Sequence, residues 1–436
     1  MCYNNSIMTL SEELIWRGFV AETTISDPKS LDKRENKQFY FGADPSADSL
    51  TIGNLAAMMM CACFVRHGYK PYLLVGGATG QIGDPKETGE RELKPIEEIE
   101  HNKACIKKQI AKVLGSVENT ATKAGDKSAV AEIKMLDNYD WFKNIKYLDF
   151  LRTIGKSFSM TQLLDRKFIQ DRIGAGGSGI SYAEFSYTLI QGYDFYHLYK
   201  TYGVDLQLCG ADQYGNASSG ISLIRKLEGG EADVWSTPLV IDPASGRKFG
   251  KSEGNAVWLA AEPAVLSSGE KSKNYTTVFD FYQFWLDQPD DSLEYLMKIY
   301  TVYDKKIIEE TLKDHAKAPE ERLGQKVLAR GATEVVHGKV AADAVSSLSE
   351  KLFDKKATYS DKDIENAAKI LPCEPLGASL VEDLVCTGLA ESKGQARTLI
   401  KSGAVSVNGI KVMDEKAVIS APAILKRGKN KFAVVS

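Results

Sequence analysis

The 436-residue chain has no Cys-x-x-Cys pair, no apolar run of membrane-spanning length and no single-sign charge excess. Each absence removes a class of protein. The seven cysteines lie at positions 2, 61, 63, 105, 209, 373 and 386, without metal-ligand or disulfide spacing, so a zinc ribbon and a disulfide scaffold are excluded. Cys61 and Cys63 fall in a predicted helix, where residues two apart point away from each other. Such a set fits a reducing compartment. With fewer than about 20 successive apolar residues, no segment forms a membrane-crossing helix. The opening, with acidic Ser11-Glu12-Glu13, resembles neither a secretory signal nor an arginine-rich transit segment. Fifty-five basic residues against 58 acidic ones leave a net charge of −3, so contact with nucleic acid must come from local basic patches.

What is present is enough apolar content, 43%, for two to four domains with a sizeable core. Residues 1–36 read as a helix with a charged linker. Residues 37–262 alternate apolar strand runs with helical periods, which predicts an α/β domain built on a Rossmann-like, doubly wound parallel sheet. Ligands on such sheets bind at the carboxyl ends of strands, and the segments around Asp44, Thr79 and Gln207 each follow a strand-like run. Residues 117–130 are small and polar and read as a surface excursion of an inserted segment. A linker is expected over 260–276, a helical domain over 277–353, and a charged linker or loose helix over 354–369. A small α+β RNA-binding domain is expected over 376–436.

Two segments carry chemistry. Lys248-Phe249-Gly250-Lys251-Ser252 sits in a Gly-rich stretch after Leu239-Val240-Ile241. Lysines supply compact cations to phosphate oxygens, and glycine lets the backbone approach. Far upstream, Phe39-Tyr40-Phe41-Gly42-Ala43-Asp44 reads as a strand leading through Pro45-Ser46 to Thr51-Ile52-Gly53-Asn54-Leu55. There Leu55, Met58, Ala62 and Val65 begin a helix. A helix N-terminus beside hydroxyls favours anions, because its free N–H groups and dipole face the ligand.

The pair resembles the "HIGH" and "KMSKS" signatures of class I aminoacyl-tRNA synthetases. Gly76-Gly77-Ala78-Thr79-Gly80-Gln81-Ile82-Gly83-Asp84-Pro85, Asn138-Tyr139-Asp140-Trp141, Tyr182 to Tyr187, Gln191 to Phe195 and Leu206 to Asn216 follow in order. This succession, over nearly the whole chain, resembles bacterial-type tyrosyl-tRNA synthetases. The resemblance implies a tyrosine–tRNA ligase that uses ATP as substrate, with Mg2+ accompanying the nucleotide and no protein-bound metal. It also implies tRNA(Tyr) as partner, a homodimer and no membrane. The compartment implied is the cytoplasm, with an organelle the open alternative.

The resemblance assigns residues as well. Lys248, Lys251 and Ser252 would hold the leaving pyrophosphate, and Ser46 and Thr51 the γ-phosphate end. Asp44, Gly53, Asn54, Gly210 and Asp212 would face ATP. Tyr40 and Asp194 would bracket the phenolic hydroxyl, Tyr187, Gln191 and Asp84 the ammonium, and Gln213 the carboxylate. Taken alone, an aspartate between Tyr193 and Phe195 already needs a partner. Arg225 and Lys226 would meet the acceptor arm, and the helical domain would read the anticodon side. In the last unit Lys393, Arg397 and Lys401 share a helix face between Ser392 and Gly403. Nine basic against three acidic residues from 391 to 436 add local positive charge for RNA phosphates.

The chain departs from the family pattern where Thr51 replaces the usual histidine, with Asn54 after it. All five histidines (67, 101, 197, 315 and 337) lie elsewhere. A threonine hydroxyl carries no charge, so some stabilisation at the pyrophosphate end is expected to be lost, about 1–2 kcal/mol for one bond. Phe41 likewise replaces a smaller residue, and Lys86 and Arg91 depart in spacing. The alternative is therefore an RNA-binding protein that retains the synthetase fold with weakened catalysis. A tryptophan-specific relative is disfavoured by Tyr40 with Asp194.

Overall fold

The computed structural model describes residues 8–85, 89, 92–123, 133–164, 167–174, 176–241, 246, 256–266, 268–354 and 356–436 (backbone only for 116–123, 162, 167 and 168). Two compact units emerge: Met1–Thr276 with Asp291–Leu312, and Thr277–Asp290 with Lys313–Ser436.

The first unit is built on five strands, β1 (Gln38–Ala43), β2 (Lys70–Val75), β3 (Lys134–Asp137), β4 (Leu206–Gly210) and β5 (Asp233–Thr237), in the order β3-β2-β1-β4-β5. Every pairing is parallel. Near-continuous apolar runs are what such strands need, since both faces are covered by helices. Phe39, Tyr40, Phe41, Leu73, Leu74, Val75, Leu206, Leu208, Val234 and Trp235 are all buried. Strand order reverses between β1 and β4, which leaves a crevice at their carboxyl ends.

Helix Ile52–Arg66 is buried on most sides, between the sheet, helix Ile96–Lys123 and helix Leu293–Tyr300. Helix Ile96–Lys123 continues seven residues into the stretch expected to be an excursion. The alternation of small and polar residues there does not stop a helix that lacks proline. The stretch expected as a linker is also bonded into this unit. Ile52 N–H donates to the Val257 carbonyl at 3.1 Å, Leu259 N–H to Leu50 at 2.8 Å, and Thr276 N–H to Ala260 at 2.8 Å. Asn274 Nδ2 donates to Asp48 Oδ1 at 2.6 Å.

A buried charge cluster fastens this unit's first and last helices. Glu13 accepts from Arg17 at 2.7 Å, from Arg66 and from His67 at 2.9 Å. Arg17 also donates to the carbonyls of Lys298 (2.7 Å), Thr301 (2.9 Å) and Tyr303 (2.7 Å), closing the end of helix Leu293–Tyr300. At the same end of that helix, Tyr300 Oη donates to the Ile52 carbonyl at 3.1 Å.

In the second unit, helices Val278–Leu286, Leu323–His337 and Lys339–Phe353 pack together. Gln283 Nε2 donates to Ser349 Oγ at 2.8 Å. The stretch expected as a charged linker or loose helix holds helix Asp361–Ala368, capped by Ser360. The chain ends in a sheet of β6 (Cys373–Glu374), β7 (Val405–Val407), β8 (Ile410–Val412), β9 (Ala423–Arg427) and β10 (Lys431–Val435), ordered β6-β10-β9-β7-β8. The Asn408-Gly409 hairpin forms with both residues at positive φ, 49° and 81°. Ser392 caps helix Lys393–Lys401, Gly403 follows it at φ 67°, and Ala396 and Ile400 enter the core.

Burial pushes the Glu13 carboxyl up, but the His67 bond, Arg66 and Arg17 reverse this and hold it well below the usual glutamate value of 4.5. Its stabilisation is therefore complete above that value and lost as pH falls toward the lowered one. Glu13→Gln should cost about 3–5 kcal/mol at pH 7, since it leaves buried cations unpaired. In urea unfolding across pH, the gap to wild type should narrow in acid; a gap constant from neutral to strongly acidic pH would contradict this assignment.

Candidate active site

The crevice at the strand ends holds a continuous chain of hydrogen bonds. Asp44, just after β1, accepts from Tyr187 Oη on one oxygen (2.7 Å) and from Thr79 Oγ1 on the other (2.7 Å). Asn138, just after β3, donates to Thr79 Oγ1 (3.1 Å) and to Asp194 Oδ2 (3.0 Å), and accepts from Ala78 N–H (2.6 Å). Trp141 Nε1 completes the chain by donating to Asp194 Oδ1 at 3.0 Å. Gly76 makes room for it: a Cβ there would lie 1.9 Å from Thr79 Oγ1 and 2.5 Å from Asp44 Oδ1.

At one end stand Tyr40 and Asp194, 1% and 0% exposed, so neither meets water. Tyr40 lies over Gly42, where a Cβ would fall 2.8 Å from the phenolic oxygen. Burial, with the negative charge of Asp194 next, pushes the Tyr40 hydroxyl well above its ordinary range. Burial likewise pushes the Asp194 carboxyl well above the carboxylate range, opposed by the donors Asn138 and Trp141. Gln207 is the register partner of Tyr40, and its Oε1 is buried with no partner among the described residues.

The other end is amide-rich. Gln213 Nε2 donates to Asp84 Oδ2 at 2.8 Å, and Asn216 Nδ2 lies 3.4 Å from Asp84 Oδ1. Gln191 Oε1 is buried with no partner among the described residues, an acceptor suited to a substrate ammonium. Of the three residues expected around that ammonium, Tyr187 gives its hydroxyl to Asp44 rather than to Asp84. Asp44, expected on the nucleotide side, is thus bonded to a residue expected on the amino-acid side.

Thr51 caps helix Ile52–Arg66, and its two donors converge on one atom: N–H and Oγ1 each lie 3.0 Å from Asn54 Oδ1. That shared oxygen fixes the amide orientation and turns Asn54 Nδ2, on an exposed residue, outward. Gly53 follows in the first turn, and Ser46 is exposed on the loop before it. Gly210 ends β4, and exposed Asp212 stands in the turn after it, where a Cβ on Gly210 would meet its Oδ1 at 2.7 Å. Lys248, Lys251, Ser252, Lys86 and Arg91 lie outside the described residues.

The residues expected to meet RNA are all exposed. Arg225 and Lys226 end helix Tyr214–Glu228, with Lys226 Nζ 2.5 Å from the Ser157 carbonyl. Lys393 pairs with Glu382 at 2.8 Å and Lys401 with Glu415 at 3.1 Å, while Arg397 lies between them on the same helix. Asn138 and Trp141 had no role from sequence, although they stand just beyond the carboxyl end of β3, where a polar residue is itself a signal; Thr79 follows β2 as expected, whereas Gln207, expected just after a strand, is the second residue of β4.

A crevice at the switch point of a parallel sheet, with a capped helix opening on it, is the arrangement of a class I synthetase. Residues 32–354 match the family described as tRNA synthetases class I (W and Y). Residues 363–435 match the tyrosine–tRNA ligase SYY-like C-terminal domain. The chain belongs to the tyrosine–tRNA ligase family. It is 39% identical to tyrosine–tRNA ligase 1 of Streptococcus thermophilus, over 98% of this chain and 100% of that one. It is 38% identical to the tyrosine–tRNA ligase of Geobacillus kaustophilus, over 98% and 99%. A solved C-terminally truncated mitochondrial tyrosyl-tRNA synthetase of Aspergillus nidulans superposes with a TM-score of 0.68 at 27% identity, covering 80% of this chain and 95% of that one.

Asn138→Ala removes one of the two donors on Asp194. The KM for tyrosine should rise about tenfold or more, because a buried carboxyl group loses a bond, with the KM for ATP changing by less than about threefold. Steady-state kinetics in each substrate distinguishes this from a general loss. Thr51→Val keeps the N–H bond to Asn54 but deletes the hydroxyl, and should lower stability by about 1 kcal/mol, as loss of a helix cap does. A denaturation midpoint equal to wild type would show that the cap does not depend on the hydroxyl.

Proposed function

We propose that this aminoacyl-tRNA ligase activates L-tyrosine with ATP and passes the tyrosyl group to the 3′ end of tRNA(Tyr). The observation that carries this reading is the buried pair of polar side chains, Tyr40 and Asp194, which suits one phenolic hydroxyl. Phenylalanine there leaves both groups without their partner, which disfavours it. Gln191, Asp84 and Gln213 receive the ammonium and orient the carboxylate.

In the first step a carboxylate oxygen of tyrosine attacks the α-phosphorus, the bond to the β-phosphate breaks, and pyrophosphate leaves. In the second a terminal ribose hydroxyl of tRNA attacks the activated carbonyl and AMP leaves. The substrate is its own nucleophile, so the protein contributes position and charge rather than an attacking side chain. Asn54 and the N-terminus of its helix, Gly53, Asp212 and Gly210 face the nucleotide, with Ser46, Thr51, Lys248, Lys251 and Ser252 at its phosphates. Magnesium enters with ATP as part of the substrate.

For the domains we adopt a catalytic domain to 262, an anticodon-side helical domain at 277–353, and an RNA-binding domain at 376–436. Arg225, Lys226, Lys393, Arg397 and Lys401 are its proposed tRNA contacts. Tyr147 and Tyr182, each 62% exposed with hydroxyls 3.4 Å apart, and Leu148, 75% exposed, favour a second copy as partner. Bacterial relatives and free thiols at Cys61, Cys63 and Cys209 favour the cytoplasm.

Tyrosine-dependent ATP–pyrophosphate exchange tests the reading. Exchange with tyrosine, and not with phenylalanine or tryptophan, is expected. Absence of exchange, with tRNA still bound, would replace it with the RNA-binding alternative.

A further inference from the structure

Helix Tyr182–Tyr202 places Asp194 and His197 one turn apart, and both hold the same indole. Trp141 Nε1 donates to Asp194 Oδ1 at 3.0 Å. The imidazole of His197 lies flat on that ring, centroids 4.4 Å apart and planes 19° from parallel. Tyr193 flanks the imidazole at 6.1 Å, and Thr201 Oγ1 lies 3.5 Å from its Nε2.

Trp141 needs such a hold. It belongs to a four-residue helix, Tyr139–Phe142, with no buried residue of its own, and is itself only half-buried. Nothing in so short an element fixes an indole rotamer. Yet the fully buried Asp194 draws one of its two donors, beside Asn138, from that indole. Burial holds the imidazole below the usual histidine range, so the stack at neutral pH is between two uncharged rings.

We propose that His197 is a positioning residue for amino-acid selection: it clamps the face of Trp141 so that Nε1 stays on Asp194, and Asp194 stays aimed at the substrate hydroxyl. The proposal rests on the reading that Asp194 receives the phenolic hydroxyl of tyrosine. His197 then governs the KM for tyrosine and the preference for tyrosine over phenylalanine. It touches neither ATP nor the reacting atoms.

Pyrophosphate exchange by the full chain tests it with three single variants and one double. His197→Ala should raise the KM for tyrosine about five- to tenfold, the worth of an aromatic contact, and reduce tyrosine-over-phenylalanine selectivity by a similar factor. Its kcat and KM for ATP should stay within about twofold. His197→Phe, which keeps a flat face, should restore the tyrosine KM. Trp141→Phe should raise that KM at least as much as His197→Ala, and the double variant H197A/W141F should be no worse than Trp141→Phe alone. The proposal is overturned if His197→Ala leaves KM and selectivity unchanged. It is equally overturned if the two substitutions add, or if kcat and both KM values worsen together in step with a lower Tm. A wild type that exchanges no pyrophosphate into ATP with tyrosine removes the functional reading, and the proposal with it.

Discussion

A carboxyl group sealed from water is the constraint on which the site depends. Asp194 sits at the bottom of the crevice, where burial works against its charge, so it must be given donors. Asn138 and Trp141 supply them, and Asn138 is itself held by the Ala78 N–H and tied to Thr79. Thr79 in turn meets Asp44, which meets Tyr187. Three consecutive strand ends and one helix are thereby connected through side chains alone. The parallel sheet brings those ends to one edge, and the polar chain makes that edge a rigid floor.

The nucleotide side follows a different logic. A helix N-terminus has N–H groups to spare, and their assignment decides what it can bind. Here the Ile52 N–H is spent on the Val257 carbonyl, and the Thr51 N–H on Asn54 Oδ1. The residue with its amide turned outward is Asn54. Thr51 serves the helix start, and this is the physical content of its departure from the "HIGH" pattern that the segment resembles.

Much of this was legible in the chain itself. Parallel strands buried on both faces show as unbroken apolar runs, so the sheet and its carboxyl-end crevice could be read from Phe39–Phe41 and Tyr72–Val75. Asp194 stood out because a carboxylate between aromatic residues must be satisfied by something. What satisfies it could not be read, because Asn138 and Trp141 lie more than fifty residues away and meet it only through the fold. The Thr51–Asn54 bond is local, three residues apart at a helix start, and was overlooked because both residues were singled out for phosphate contact. The helix through Lys123 was missed because small polar residues signal a surface without signalling a turn. The stretch from Ala260 was missed because its bonds run to Asp48 and Ser49, some two hundred residues earlier.

The Glu13–Arg17–Arg66 cluster has a bearing on how the chain is made. The sheet of the first unit has all its strands by Thr237, but beyond Glu13 the acceptors of Arg17 are the late carbonyls of Lys298, Thr301 and Tyr303. Between them the chain leaves to build residues 277–290 of the second unit. On a ribosome the earliest helix therefore waits, with its guanidinium uncompensated by those carbonyls, until some three hundred residues have emerged. A fragment ending at the close of the sheet would carry every strand and still lack the segment that seals its amino-terminal helix. Shortening this protein to its catalytic half is thus a matter of threading, because the two units are interleaved along the chain rather than joined end to end.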